Sequence, residues 1–154
     1  MKRIGITIAI VAGLCLGGAP ARSEAATTED VETMELMLHG LMAVHASTVL
    51  SMNAHVAGLL KPDHAVAEIG RNTKFLEVLK KSCDQLERKT PLDAHDQISF
   101  IKDFKQVCYY LETALEWFDK FVAEGKEIDS KLVDRNILHA ERAMGRLLKG
   151  LSGD

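Results

Sequence analysis

The segment IKDFKQVCYYLETALEWFDKFV, residues 101–122, decides the fold class of this chain. Its apolar side chains return every three or four residues, which is the period of an amphipathic α-helix. Those on the predicted inward face are Ile101, Phe104, Cys108, Leu111, Leu115, Phe118 and Val122. Gly125 follows the segment, and we expect it to end this helix in the left-handed conformation that glycine adopts readily.

The same period extends over the chain on the N-terminal side. Helix 1 is predicted from Thr28 to Leu60 and should stop before Pro62, because the residue ahead of a proline disfavours helical backbone. Asp63 is expected to cap helix 2. The inward stripe of helix 2 reads Val66, Ile69, Thr73, Leu76, Leu79, Cys83 and Leu86.

Two further features complete the predicted fold. Thr90 is expected to cap helix 3, with Pro91 in its first turn, and helix 4 is expected to begin near Asp129. The predicted inward residues of helix 4 are Val133, Ile137, Ala140, Met144, Leu147 and Leu151. No segment alternates as a half-buried strand does, and the connections are short. The sequence therefore predicts an all-α, antiparallel up-down-up-down four-helix bundle.

The first residues have the pattern of a secretory signal peptide. The cationic start ending at Arg3 precedes an apolar run from Ile4 to Gly18, which is short for a membrane span of about 20 residues. Small residues then offer cleavage after Ala21 or Ala25. We expect residues 1–25 to be removed, residues 26–154 to form the bundle domain, and the product to be periplasmic or secreted. A retained membrane anchor is the less favoured alternative.

Composition excludes several other classes of protein. With 154 residues, 47% of them hydrophobic and 27% charged, the chain suits one globular domain and no extended disorder. Three cysteines are too few for a disulfide-based scaffold. The net charge of −3 provides no basic surface for nucleic acid.

Helix 1 differs from the other helices because it has no Asp, Glu, Lys or Arg from Leu36 to Leu60. A bundle core needs only one side of a helix to be apolar. The other side carries a stripe of small or apolar residues: Leu36, Gly40, Ala43, Ser47, Ser51, Ala54 and Gly58. Small residues at this spacing allow a second helix to approach closely. The stripe predicts an interface with a second copy or another protein, and a weakly polar exposed face is the alternative.

Methionine and histidine residues also recur in helix 1. Thioether and imidazole groups suit copper and haem iron, so the candidate ligands are His45, Met52, Met144 and Met37. His45 and Met52 lie about 10 Å apart along the helix, so a shared metal needs a ligand from another helix. The alternative is that the methionines fill the core and His45 is a hydrogen-bonded core residue.

Cys83 and Cys108 fall on the inward stripes of neighbouring helices. Counting from the predicted turn at Thr90, their levels differ by roughly 9 Å, which is beyond the reach of a disulfide. We therefore expect two buried thiols in preference to a bridge.

The sequence contains no recognisable catalytic motif. There is no Gly-x-Ser-x-Gly, no phosphate-binding loop, no Cys-x-x-Cys-His and no Glu-x-x-His. We therefore expect an exported, non-enzymatic binding protein that self-associates or docks a partner through helix 1. The alternative is a haem- or copper-binding bundle that uses His45 with Met or His ligands for electron transfer, sensing or metal handling.

Overall fold

Four α-helices account for most of residues 28–152, which a computed structural model describes. They are α1 (Thr28–Val56), α2 (Pro62–Lys89), α3 (His95–Glu124) and α4 (Glu127–Ser152), with no strand in this part of the chain. The prediction of an all-α fold with four helices is confirmed. The predicted signal peptide and both cleavage positions lie outside the described residues.

Helix α1 ends at Val56, so the prediction that it extends to Leu60 was wrong. The physical reason is Gly58, whose φ of 71° is left-handed. The backbone N–H groups of Leu59 and Leu60 both donate to the carbonyl oxygen of Ala54, at 2.8 and 3.1 Å. These hydrogen bonds provide the Ala54 carbonyl oxygen at the end of the helix with donors, and the chain turns away before Pro62.

The start of α2 also differs from the prediction. Pro62 is its first residue and Lys61 is the N-cap, without a side-chain capping bond, so Asp63 lies in the first turn and does not cap. A carboxylate there still interacts favourably with the helix dipole. Ala65 is buried, whereas Val66 is 49% exposed and does not belong to the inward stripe. Thr73 is half-buried, and the other predicted members of the stripe are buried.

The connection between α2 and α3 is longer than predicted. Thr90 does not cap α3, because its hydroxyl donates back to the Leu86 carbonyl oxygen at 2.8 Å and closes α2. The backbone of Thr90 is extended, with ψ of 123°, and α3 begins only at His95, with Ala94 as N-cap. The extended segment carries the chain beyond the end of α2 before α3 turns back.

The second half of the chain follows the prediction more closely. Gly125 ends α3 with φ of 66°, as predicted. Helix α4 begins at Glu127, two residues ahead of Asp129. The predicted stripes of α3 and α4 are buried except for Val122 and Leu151, which are half-buried at the margin of the core.

Helix α1 packs closely on α2. Gly40 lies against Leu79, and a Cβ added at this glycine would come within 2.6 Å of the leucine Cδ2 atom. Further along, the buried amide of Asn72 donates to the hydroxyl oxygens of Ser47 and Thr48, at 3.1 and 3.2 Å. The missing side chain permits the close approach, and the amide fixes the register of the two helices.

Ion pairs set the register of the remaining neighbours. Lys80 of α2 pairs with Glu112 of α3 at 2.6 Å, and Glu87 pairs with Lys105 at the same distance. Residue numbers thus rise along α2 as they fall along α3. Between α3 and α4, the side chain of Arg146 donates to Asp103 at 3.0 Å. The core between the helices is filled by large side chains such as Phe104 and Phe118.

Replacing Gly125 by alanine should destabilise the fold by about 1–2 kcal/mol, because an L-residue disfavours the left-handed conformation. Gly70 provides the matched control, since it is an exposed residue inside α2 with nothing within 4 Å of an added Cβ. Gly70→Ala should stabilise by about 0.5–1 kcal/mol through helix propensity. Urea unfolding measures both free energies, and equal effects of the two substitutions would contradict the assigned role of Gly125.

Candidate functional site

A cleft of about 540 Å³ separates the C-terminal half of α1 from α4. It forms because α1 makes its main contacts with α2 and far fewer with α4. Its apolar lining consists of Val49, Met52, Ile137 and Leu138, and its polar lining consists of Asn53, Lys131, Asp134, Arg135 and Glu141. The cleft therefore joins an apolar floor to charged groups of both signs.

His45 lies on α1 beside this cleft and is 4% exposed. Its Nε2 atom is 3.3 Å from Oε1 of Glu141, a cleft residue on α4. The two atoms are close, but their geometry does not make a hydrogen bond, and Nε2 has no hydrogen-bond partner among residues 28–152. The alternative interpretation of His45 as a hydrogen-bonded core residue agrees with its burial. The hydrogen bond is not present at Nε2 among residues 28–152.

The other predicted metal ligands are also buried, but the structure distributes them along the bundle. Met52 lines the cleft, whereas Met144 and Met37 belong to the core. Met37 precedes His45 by about two turns of α1, or roughly 12 Å. Residues 28–152 contain no group of three or more His, Cys, Asp or Glu side chains that could hold a metal ion. The metal site remains a prediction for these four residues.

One side of α1 faces solvent and carries no charge over most of its length. Leu36 and Leu50 are 73% and 69% exposed, and His39, Ala43 and Asn53 are exposed between and beyond them. We call these five residues the outer face of α1. Exposed leucines on an uncharged helix face are typical of a surface that becomes covered.

The predicted interface stripe overlaps this outer face only in part. Leu36 and Ala43 belong to it, whereas Gly40 and Ser47 face α2 in the same chain. Ser51 and Ala54 are half-buried, and Gly58 lies beyond the end of the helix. Gly40 and Ser47 thus serve close packing within the chain. The predicted stripe did not include His39, Leu50 and Asn53, which a helical projection that includes the contact with α2 would add.

Charges gather at the two ends of the outer face. The first turns of α1 carry Glu29, Asp30, Glu32 and Glu35. At the opposite end, Lys131 and Arg135 border the cleft. Lys131 pairs with Glu127 at 2.8 Å, while Glu32, Glu35 and Arg135 form no ion pair with other described residues. The start of α1 is therefore acidic, whereas the cleft at the opposite end holds Asp134 and Glu141 as well as Lys131 and Arg135.

A second cavity, of about 250 Å³, lies between α2 and α3 and is lined by both Cys83 and Cys108. Both residues are free thiols. The predicted offset between their levels was wrong, because the extended connection carries α3 past the end of α2. Burial raises the pKa of Cys83 from its ordinary 9.0 to about 11 and that of Cys108 to about 12.

Residues 28–152 include no helix with the length and apolar character that crossing a membrane requires. Comparison of the chain with protein-family models, with curated proteins and with solved structures found no significant match.

Alkaline pH should destabilise the fold through the two thiols. An unfolded thiol ionises near its ordinary pKa of 9.0, whereas folded Cys83 and Cys108 ionise only near 11 and 12. Because folding raises the pKa of each thiol, the thiols contribute their full stabilisation to the folded state at pH values below the unfolded pKa. This stabilisation is lost as the pH rises through the pKa of the folded state. We therefore expect the free energy of unfolding to fall between pH 9 and pH 12.

The control for this measurement is the double variant Cys83→Ala, Cys108→Ala. Its stability should be lower at neutral pH because of the lost packing, but it should fall less steeply in alkali. Urea unfolding at a series of pH values gives both curves, and two parallel curves would contradict the prediction.

Proposed function

We propose that this chain is an exported, non-enzymatic binding protein whose up-down-up-down bundle forms a homodimer through the outer face of α1. The observation that carries the proposal is this face: two widely exposed leucines on a helix without a charged residue from Leu36 to Leu60. Exposing apolar side chains to water is unfavourable, and packing against a second copy would bury them.

The outer face suits a twofold-symmetric partner. Leu36 and Leu50 each lie seven residues from Ala43. In an antiparallel pair of α1 helices with the axis at Ala43, Leu36 of one copy therefore meets Leu50 of the other, and this happens twice. The alanine at the crossing point permits a close approach of the two backbones. The leucine contacts span about 21 Å along each helix.

Charge complementarity supports the same arrangement. Arg135 lies six residues from Glu141, which contacts His45, so Arg135 is level with Ser51. Symmetry about Ala43 also brings Glu35 to the level of Ser51 in the second copy. Glu35 thus approaches Arg135 of the second copy, and Glu32 approaches its Lys131 one turn further on. The acidic end of each α1 enters the mouth of the other copy's cleft.

The remaining parts of the proposal rest on the sequence and on the helix contacts. The cationic, apolar and small-residue order of residues 1–25 supports export to the periplasm or beyond the cell. Residue numbers rise on one helix as they fall on the other in the contacts of α1 with α2, of α2 with α3 and of α3 with α4, which supports the up-down-up-down topology.

Ala43→Arg tests the dimer at its axis. Two guanidinium groups would face each other across the interface, so we expect the dissociation constant of the processed protein to rise by roughly 100-fold. Ala67→Arg is the matched control, because Ala67 is an exposed alanine on α2, away from the outer face. Sedimentation equilibrium measures both constants. A processed protein that is monomeric at micromolar concentration, with no effect of Ala43→Arg, would overturn the proposal.

A charge exchange tests the orientation of the two copies. Glu35→Arg and Arg135→Glu should each weaken dimerisation by roughly 3- to 10-fold, because each places like charges together across the interface. The double variant should recover the original dissociation constant to within about threefold, because the pair is restored with opposite polarity. Additive weakening in the double variant would show that the two residues do not meet.

The second candidate function, haem or copper binding, is favoured by one observation. Nε2 of His45 is buried without a hydrogen-bond partner among the described residues, so this nitrogen is available to coordinate a metal ion. A visible spectrum and a metal analysis of the exported protein, repeated with His45→Ala, separate the two candidates. A Soret band or stoichiometric copper that disappears in the variant would establish the second candidate, whereas a colourless, metal-free dimer supports the first.

A further inference from the structure

Cys83 and Cys108 face each other across the α2 and α3 interface, between two cross-helix ion pairs. Lys80 and Glu112 form an ion pair about one helical turn from the cysteines toward the start of α2. Glu87 and Lys105 form an ion pair about one turn toward the end of α2, and both pairs are at 2.6 Å. Cys83 follows Lys80 by three residues, and Cys108 precedes Glu112 by four. The cysteines therefore occupy the level between the ion pairs, one on each helix.

The immediate surroundings bring the two sulfur atoms into one site. Each cysteine is 1% exposed, and both line the same cavity of about 250 Å³. Cys83 is close enough to contribute to the raised pKa of Cys108, after burial itself. The mouth of the cavity is formed by the exposed side chains of Lys80, Asp84, Lys105 and Tyr109. The cavity beside the thiols therefore reaches the protein surface at these side chains.

We propose that Cys83 and Cys108 form a redox-active dithiol that a small organic disulfide converts into an intramolecular disulfide joining α2 to α3. One cysteine attacks a sulfur of the reagent as its thiolate, forming a mixed disulfide and expelling one reagent thiolate. The second cysteine then attacks the protein sulfur of that mixed disulfide and expels the other reagent thiolate. The two cysteine protons end on the two reagent thiols, so the protein is oxidised by two electrons and the reagent is reduced by two.

The bond would act as a covalent staple beside the connection between the helices. It closes a loop of about 25 residues that contains Thr90 and the rest of the extended connection. Constraining this loop in the unfolded chain should raise the melting temperature by roughly 5–10 °C. Neither cysteine belongs to the outer face of α1, so this inference stands independently of the proposed dimer.

The experiment treats the exported, processed protein with hydroxyethyl disulfide near pH 9 and then counts thiols after denaturation. We expect no free thiol, no retained reagent and no covalent dimer, together with the higher melting temperature. Cys83→Ser and Cys108→Ser are the matched controls, and each should retain either its single thiol or one reagent adduct. Two remaining thiols, adducts on both cysteines or covalently linked chains would count against an intramolecular pair.

A second measurement separates the geometry of the pair from access by the reagent. The protein is unfolded in urea, oxidised to the intramolecular disulfide and returned to native buffer. If the two residues meet in the fold as inferred, the oxidised chain should regain the helical signal of the reduced protein and melt at a higher temperature. Failure to refold, or a lower melting temperature, would overturn the proposal even if the thiols of the folded protein react slowly.

Discussion

The contact of Gly40 with Leu79 is the constraint on which the arrangement of the bundle depends. Because position 40 has no side chain, α1 can lie directly on α2, and the Asn72 amide then holds the helices in register through two hydroxyl groups. Helix α1 makes far fewer contacts with α4 than with α2, and the cleft lies between α1 and α4.

The bundle consequently has two different kinds of helix surface. Helices α2, α3 and α4 carry charges on their outward sides and are joined by exposed ion pairs, such as those of Lys105 and Arg146. Exposed pairs of this type contribute little stability, but they keep those surfaces hydrated. The outer face of α1 has no such layer, and the acidic residues of this helix lie only in its first turns. This contrast is the reason why we propose that association occurs through α1.

Local sequence signals predicted the helices well, whereas long-range register was not accessible from them. The inward stripe of α3 and the end of that helix at Gly125 follow from periodicity and from glycine's conformational freedom. The levels of Cys83 and Cys108 depend on the path of the chain after Thr90, whose extended conformation no periodic pattern indicates. The contact of His45 with Glu141 joins the first helix to the last and required the assembled bundle. The small-residue stripe predicted an interface with a second chain, but Gly40 and Ser47 make their close contacts with α2 of the same chain.

The two-residue connection at Gly125 has a consequence for the order in which the chain folds. Helices α3 and α4 share the most extensive interface in the bundle and are joined by its shortest link, so their pairing loses little loop entropy and should form early. Helix α1 emerges first from the ribosome, yet its main partner α2 is complete only at Lys89. Both apolar sides of α1 therefore remain uncovered at least until α2 has been made. The helix whose outer face stays exposed in the folded chain is thus also the first of the four helices to be made.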